Sequence, residues 1–208
     1  MTAYTRAQGR GVAEIVHYTS ERGVMGTVMK GMLLSRQRVQ ADPDLEFIFE
    51  GVWERRDPEW LDHISLSVSR INLDLFERSR TNHPQYWWAV MGFDPAILEN
   101  EDDVWFTTTN NVYEDVCQRG QGEPGFEAMF GQEIPWGYYG SVHRRAAGYP
   151  DAWPTDRAAE LLYPGEISLE FLLHLYVPGR QHRRLVDAWC EIYGRDPLPI
   201  VIDPAAFS

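Results

Sequence analysis

The sequence predicts an α+β fold built on antiparallel sheets, and three observations carry that prediction. The apolar runs are short, the helical patterns gather in the first half, and strands and helices do not alternate in a regular βαβ order. No GxGxxG follows a predicted strand and no GxxxxGKS/T occurs, so Rossmann and P-loop nucleotide sites are disfavoured. At 208 residues with 44% hydrophobic content, the chain suits one globular domain spanning residues 1–208.

Residues 1–11 are polar and contain glycine, and are expected to be ragged. Residues 12–18 read as a strand ending at His17-Tyr18. Ser20 is then placed to cap a helix carrying Val24, Met25 and Val28 on one face, with Gly31 as its stop. Extended chain resumes at Met32-Leu33-Leu34-Ser35. Asp42-Pro43 predicts a second helix with Leu45, Phe47, Ile48 and Val52 on its apolar side, and Asp57-Pro58 predicts a short turn. Strict alternation in Ile64-Ser65-Leu66-Ser67-Val68 predicts a half-buried strand that turns both serines to the opposite face from the core.

A helix is expected over 72–80 and strands over 86–93 and 104–108. Residues 110–154 then show little periodicity beyond a short helix expected over 112–117 and the aromatic run Trp136-Gly137-Tyr138-Tyr139. So long an irregular stretch inside a small domain predicts a functional loop system. After it, Glu160 stands at the mouth of the apolar segment Leu161-Leu162-Tyr163. A turn and core strand over 167–177, a helix over 179–193 and a last strand over 199–202 complete the chain.

Composition narrows the function classes. No apolar run is long enough to cross a membrane, and the start lacks the basic-then-apolar order of a secretion signal, so a soluble, cytoplasmic monomer is expected. Cys117 and Cys190 sit in no CxxC or Cys/His pattern, which supports neither a metal site nor a disulfide framework. A net charge of −12 argues against coating nucleic acid by bulk electrostatics. All but one of the 19 cationic residues are arginine, however, clustered as Arg36/Arg38, Arg55-Arg56, Arg78/Arg80, Arg144-Arg145 and Arg180/Arg183-Arg184. The planar fork of arginine suits phosphates and stacked bases, so local positive grooves for one strand or a dinucleotide are compatible with an acidic whole.

Taken in order, several segments resemble the DarT family of bacterial ADP-ribosyltransferases, toxins that transfer ADP-ribose from NAD to a base in single-stranded DNA. They are His17-Tyr18-Thr19, Gly31-Met32-Leu33-Leu34-Ser35-Arg36, Arg55-Arg56-Asp57, Ser65-Leu66-Ser67, Trp105-Phe106-Thr107-Thr108-Thr109-Asn110, Phe126-Glu127-Ala128-Met129-Phe130 and Ala159-Glu160-Leu161-Leu162. The Ser65-Leu66-Ser67 strand followed by Asn72 is similar to the guanine-modifying branch rather than the thymine-modifying one. Ala158 stands where that branch has a glutamine.

The resemblance implies an ADP-ribosyltransferase fold: two small, roughly perpendicular antiparallel sheets with flanking helices and NAD held in the cleft between them. It implies that His17, Tyr18, Thr19, Leu34, Ser35, Ser65, Ser67 and Asn72 hold NAD. Glu160 would be the catalytic glutamate, ahead of its neighbours Glu166 and Glu170, and Arg55 or Arg56 would act on the NAD phosphates or the base. Trp136, Tyr138, Tyr139, Arg144 and Arg145, in the loop before Glu160, would meet the DNA. The implied partners are single-stranded DNA and an antitoxin glycohydrolase that strips ADP-ribose from it; no metal is implied. The residue types fit, because a fixed carboxylate stabilises the positive charge that develops on a ribose as its nicotinamide leaves. Other readings keep the fold but change the acceptor to thymine, RNA or protein, or make the chain a nucleotide-binding module without turnover.

Overall fold

The computed structural model describes residues 1–49, 57–99, 103–137 and 139–207. In chain order the helices are α1 (Ala3–Gly9), α2 (Glu21–Lys30), α3 (Arg36–Ala41), α4 (Leu73–Asn82), α5 (Gly122–Ala128) and α6 (Arg180–Ile192). The strands of the first half are β1 (Ile15–Ser20), β2 (Met32–Leu34), β3 (His63–Val68), β4 (Trp88–Phe93) and β5 (Trp105–Thr107). Those of the second half are β6 (Arg119–Gln121), β7 (Glu133–Pro135), β8 (Val142–Arg144), β9 (Leu161–Pro164), β10 (Glu166–Ser168), β11 (Leu172–Val177) and β12 (Ile200–Ile202).

Eight strands form one ladder in the order β12-β11-β4-β1-β3-β9-β5-β6, and β10-β2 and β7-β8 form separate pairs. The class is α+β, as expected. The two expected sheets are continuous through β3, and the sheet is mixed, because β11 and β12 run parallel.

Both faces of the central strands are covered. Along β4, Ala89, Met91 and Phe93 belong to one apolar cluster, while Val90 joins a second with Val16, Ile71, Phe76 and Phe207. This follows from the two-residue period of a strand, and explains why β4 reads as a continuous apolar run instead of an alternating one. In β3 the alternation holds: Ile64, Leu66 and Val68 enter the main core and the two serines do not.

Two features of α2 show how the sequence sets its ends. Ser20 occupies the N-cap without a side-chain cap, and the first helical N–H, that of Glu21, instead donates to the carbonyl of Trp87 at 2.9 Å. At the other end Gly31 adopts φ 75°, the left-handed conformation that closes helices and that a residue with a Cβ adopts at a cost.

Several elements depart from expectation. Residues 3–9 are helical and docked, capped by the Thr2 hydroxyl and tied to α5 by ion pairs of Arg6 with Glu123 and of Arg10 with Glu127. Their apolar content is Ala3, Tyr4 and Ala7, too little for periodicity to register, yet both alanines are buried and Tyr4 packs against the core. The helix expected after Asp42-Pro43 is a 3-10 segment, Pro43–Phe49; Val52 lies outside the described residues. Residues 112–117 form turns and no helix. Asn110 and Asn111 engage the backbone and neighbouring side chains there, the competition that disfavours helix around asparagine. Among the described residues no helix is long and apolar enough to cross a membrane.

Candidate active site

The site opens where two strands part. β1 and β3 pair only at Ile15 with Val68 and Val16 with Ser67, although β1 continues to Ser20 and β3 begins at His63. Beyond those rungs β3 turns its other end to β9, with Ser65 opposite Leu162 and Leu66 opposite Leu161. His17 Nδ1 spans the opening at 2.9 Å from the carbonyl oxygen of Ser65. A cavity of about 630 Å³ lies there, bounded by β1, α2, β3, α4 and the start of β9. That volume falls in the range of cofactor sites.

Glu160 reaches this cavity from just before β9 and is only 9% exposed. Its Oε1 accepts the Ser65 hydroxyl at 2.7 Å, and its Oε2 accepts the backbone N–H of Asn111 at 2.7 Å. Its own N–H donates to Thr107 Oγ1 at 2.9 Å, while Thr107 N–H donates to the Glu160 carbonyl at 2.9 Å. Main chain and carboxylate are thus held from both sides, which fixes where the negative charge points. The turn that delivers Glu160 is set by Asp156, whose Oδ1 accepts the Ala158 N–H at 2.9 Å. The rival carboxylates lie elsewhere: Glu166 pairs with Arg38 on the surface, and neither Glu166 nor Glu170 lines the cavity.

His17, Tyr18, Thr19, Leu34, Ser65, Ser67, Asn72 and Glu160 therefore share one cavity. Asn72 also caps α4 by accepting the Leu75 N–H at 3.3 Å. Tyr18 stacks beside His17, with centroids 6.4 Å apart, and meets Phe76 edge-on at 5.3 Å. Burial pushes its phenol up to about 12, the hydroxyl of Ser79 opposes that shift, and the charge of Glu160 adds to it. Tyr18 is therefore neutral near pH 7. Ser35 is placed differently from expectation. It is buried, its hydroxyl accepts the Arg38 N–H at the start of α3, and it is not part of the cavity lining.

The loop residues expected to meet DNA do not converge on the cavity. Arg144 pairs with Glu133 across the β7–β8 hairpin. Arg145 turns inward, donating to the carbonyls of Trp153 and Pro150, each at 2.8 Å, and to Thr155 Oγ1 at 3.2 Å. Trp136 meets His143 edge-on at 4.8 Å and stays partly exposed, and Tyr139 is fully exposed at the hairpin tip. Arg55, Arg56 and Tyr138 lie outside the described residues.

Other residues at the site escape sequence reasoning. Thr107, Thr108, Thr109 and Asn111 are all at most 1% exposed. The available signal was the polar run Thr107-Thr108-Thr109-Asn110-Asn111 directly after an apolar strand, since buried polar groups gather mostly where they find partners. Asp57 is buried as well, accepting Asn111 Nδ2 at 2.8 Å. From the arginine clusters, Arg36 and Arg78 line the cavity while their neighbours Arg38 and Arg80 pair with Glu166 and Glu77 outside it. Among the described residues no group of three or more His, Cys, Asp or Glu side chains is arranged to hold a metal ion.

Comparison with known proteins bears on the family and the fold. A family model described as "ssDNA thymidine ADP-ribosyltransferase, DarT" matches residues 16–208. No curated protein sequence matches the chain. Among solved structures, Thermus sp. 2.9 DarT in complex with NAD+ superimposes with a TM-score of 0.63 at 11% identity, covering 95% of this chain and 98% of that one. The same Thermus protein in complex with ADP-ribosylated ssDNA gives a TM-score of 0.60 at 11% identity, over 95% and 97% of the two chains. Thermosipho africanus DarTG in complex with ADP-ribose gives 0.55 at 13% identity, over 94% of this chain but 51% of that one.

Proposed function

Because the chain belongs to the DarT family of single-stranded-DNA ADP-ribosyltransferases, we propose that NAD occupies the cavity between β1 and β3 and that Glu160 drives transfer of its ADP-ribose to a DNA base. The observation that carries this reading is the carboxylate itself: buried, held by Ser65 and Asn111, and facing a cofactor-sized cavity whose other wall carries His17. Likeness to a Thermus DarT in complex with NAD+ supports the choice of ligand.

In this reading the bond between nicotinamide and ribose breaks, its electron pair leaves with nicotinamide, and positive charge develops on the sugar. Glu160 stabilises that charge in a site where Tyr18 contributes none. A base nitrogen then bonds to the same ribose carbon and gives up its proton, which Glu160 accepts. Arg36 and Arg78 supply positive charge for the pyrophosphate. Single-stranded substrate fits because a duplex hides the attacking nitrogen. Trp136 and Tyr139, exposed on the β7–β8 hairpin, offer stacking faces for the strand.

The acceptor in this proposal is guanine, on the strength of the Ser65-Leu66-Ser67 strand followed by Asn72. Thymine is the second reading, favoured by the thymidine in the description of the matching family. The biological role proposed is that of a toxin paired with an antitoxin that removes ADP-ribose from DNA.

The test is incubation with NAD and single-stranded oligonucleotides containing one reactive base each, read by mass spectrometry. An ADP-ribose adduct on guanine alone is the expected result, and an adduct on thymine alone transfers the assignment to the second reading. Glu160→Gln is expected to lower transfer by about a hundredfold or more while NAD still binds. Undiminished transfer in that variant overturns the role of Glu160.

A further inference from the structure

We propose that Arg119 is a positioning residue for this reaction: from outside the cavity it holds the side chain and the carbonyl of Asn111, the residue whose N–H holds the second carboxylate oxygen of Glu160. The inference rests on the reading of Glu160 given above.

The two oxygens of Glu160 are held by unlike elements. One oxygen is held by Ser65, a residue on a paired strand, but the other is held by a backbone N–H in the 108–118 connection, which is neither helix nor strand. No ladder keeps Asn111 in place, so side chains must hold it. Arg119 does so with both prongs of its guanidinium. Nε donates to Asn111 Oδ1 and Nη2 donates to Asn111 O, each at 2.6 Å. Gripping the side-chain and main-chain oxygens of one residue together fixes its rotamer and the peptide that follows it, and so restrains from the far side of its Cα the residue whose N–H meets Glu160, which a single point donor cannot do.

The rest of Asn111 is engaged too. Its Nδ2 donates to Asp57 Oδ2 at 2.8 Å and its N–H to Glu160 at 2.7 Å, and the residue is 1% exposed. Arg119 is itself well anchored. It lies on β6 opposite Thr107 of β5, the residue whose hydroxyl receives the Glu160 N–H. The base of the loop is closed just above that rung by Thr108 N–H to Gln118 O at 3.0 Å and Gln118 N–H to Thr108 Oγ1 at 3.1 Å. One β-ladder rung thus controls both ends of Glu160: Thr107 directly at the main chain, and Arg119 through Asn111 at the carboxylate. Arg119 is not part of the cavity lining, so this control does not pass through contact with NAD.

The experiment measures NAD-dependent transfer to a single-stranded oligonucleotide in the full chain, for wild type, Arg119→Ala, Arg119→Lys and Glu160→Gln, with thermal melting as the check on folding. Arg119→Ala is expected to lower kcat roughly ten- to a hundredfold, the usual consequence of a misplaced catalytic group. The KM for NAD should stay within about twofold, because an interaction that acts only in the transition state lowers kcat and kcat/KM equally when it is lost. Arg119→Lys, which keeps one donor, should recover part of the lost kcat.

A folded Arg119→Ala protein with wild-type kcat overturns the inference, and so does a loss carried wholly by KM. If Arg119→Ala does not fold, Arg119→Lys decides: a severalfold lower kcat at unchanged KM supports the positioning role, and wild-type kcat overturns it. Active Glu160→Gln overturns the underlying reading instead. Inactive Glu160→Gln beside fully active Arg119→Ala overturns only the role of Arg119.

Discussion

On β3, Ser65 and Ser67 stand opposite a core face of Ile64, Leu66 and Val68 and turn to the cavity, whereas in the loop before β9 the arginines and aromatic rings turn to one another. There Arg70 lies 4.3 Å from the ring of Trp153 and 5.4 Å from that of Tyr149. Arg145 follows at 5.1 Å from Tyr149 and 5.7 Å from Phe130, and Arg10 closes the row at 4.0 Å from Phe130. A strand leaves its side chains free to serve a site because the backbone satisfies its own hydrogen bonds. A long loop must recruit side chains to hold itself, and arginine against aromatic rings is an effective way to do so. The same residue types therefore mean recognition in one region and construction in the other.

If that contrast is right, substitutions on the strand should change turnover with little loss of stability, and substitutions in the loop should do the reverse. The largest effect is expected for Ser65→Ala. It removes the hydroxyl that donates to Glu160 Oε1 while leaving the β3 backbone pairing intact. A fall in kcat on the order of a hundredfold, with the melting temperature nearly unchanged, is the expected outcome of steady-state kinetics and calorimetry. A large drop in melting temperature would instead make Ser65 part of the scaffold.

Arg145→Ala should act through stability. It deletes three hydrogen bonds from a charged donor and two ring contacts, and leaves the carbonyls of Trp153 and Pro150 in need of new partners. A loss of about 2–3 kcal/mol in denaturant unfolding is expected. Among molecules still folded, turnover should be lowered less than in Ser65→Ala. A variant as stable as wild type that has lost DNA affinity would restore Arg145 to a recognition role.

The same contrast explains what could be read in the sequence. The β3 alternation, the Gly31 stop and the apolar strand after Glu160 are local patterns with local causes and made those elements legible, whereas the meeting of His17, Ser65, Ser67, Asn72 and Glu160 at one cavity was implied only by the family resemblance. Nothing local announces that Asn111 will offer its N–H to Glu160, because that contact joins residues far apart in the chain through a loop without periodicity. Helix α1 was hidden for a related reason: its apolar face is only Ala3, Tyr4 and Ala7, and the partners that dock it, the main core and Glu123 and Glu127 of α5, lie far along the chain. Arg144 and Arg145 are adjacent in sequence and alike in chemistry, yet one pairs at the surface and the other is inserted among rings, a difference fixed only by the β7–β8 register.

The β7–β8 hairpin gives the smallest and most discriminating test, since it carries a solvent-exposed ring at its tip and a solvent-exposed ion pair at its base. Tyr139 contributes nothing to the core, so Tyr139→Ala should leave the melting temperature unchanged. If a base of the substrate strand stacks there, the KM for oligonucleotide should rise severalfold, in line with about 1–3 kcal/mol for a base on an aromatic ring. Arg144→Ala breaks the Arg144–Glu133 pair, which is screened by solvent and should leave stability unchanged. Its effect on oligonucleotide KM should be smaller than that of Tyr139→Ala and should vanish as salt is raised, because a solvated phosphate contact is lost to screening while a stacked base is not. Equal salt dependence in the two variants would mean that the hairpin meets DNA only through charge. The contrast between a site-serving strand and a self-supporting loop would then extend to the hairpin tip.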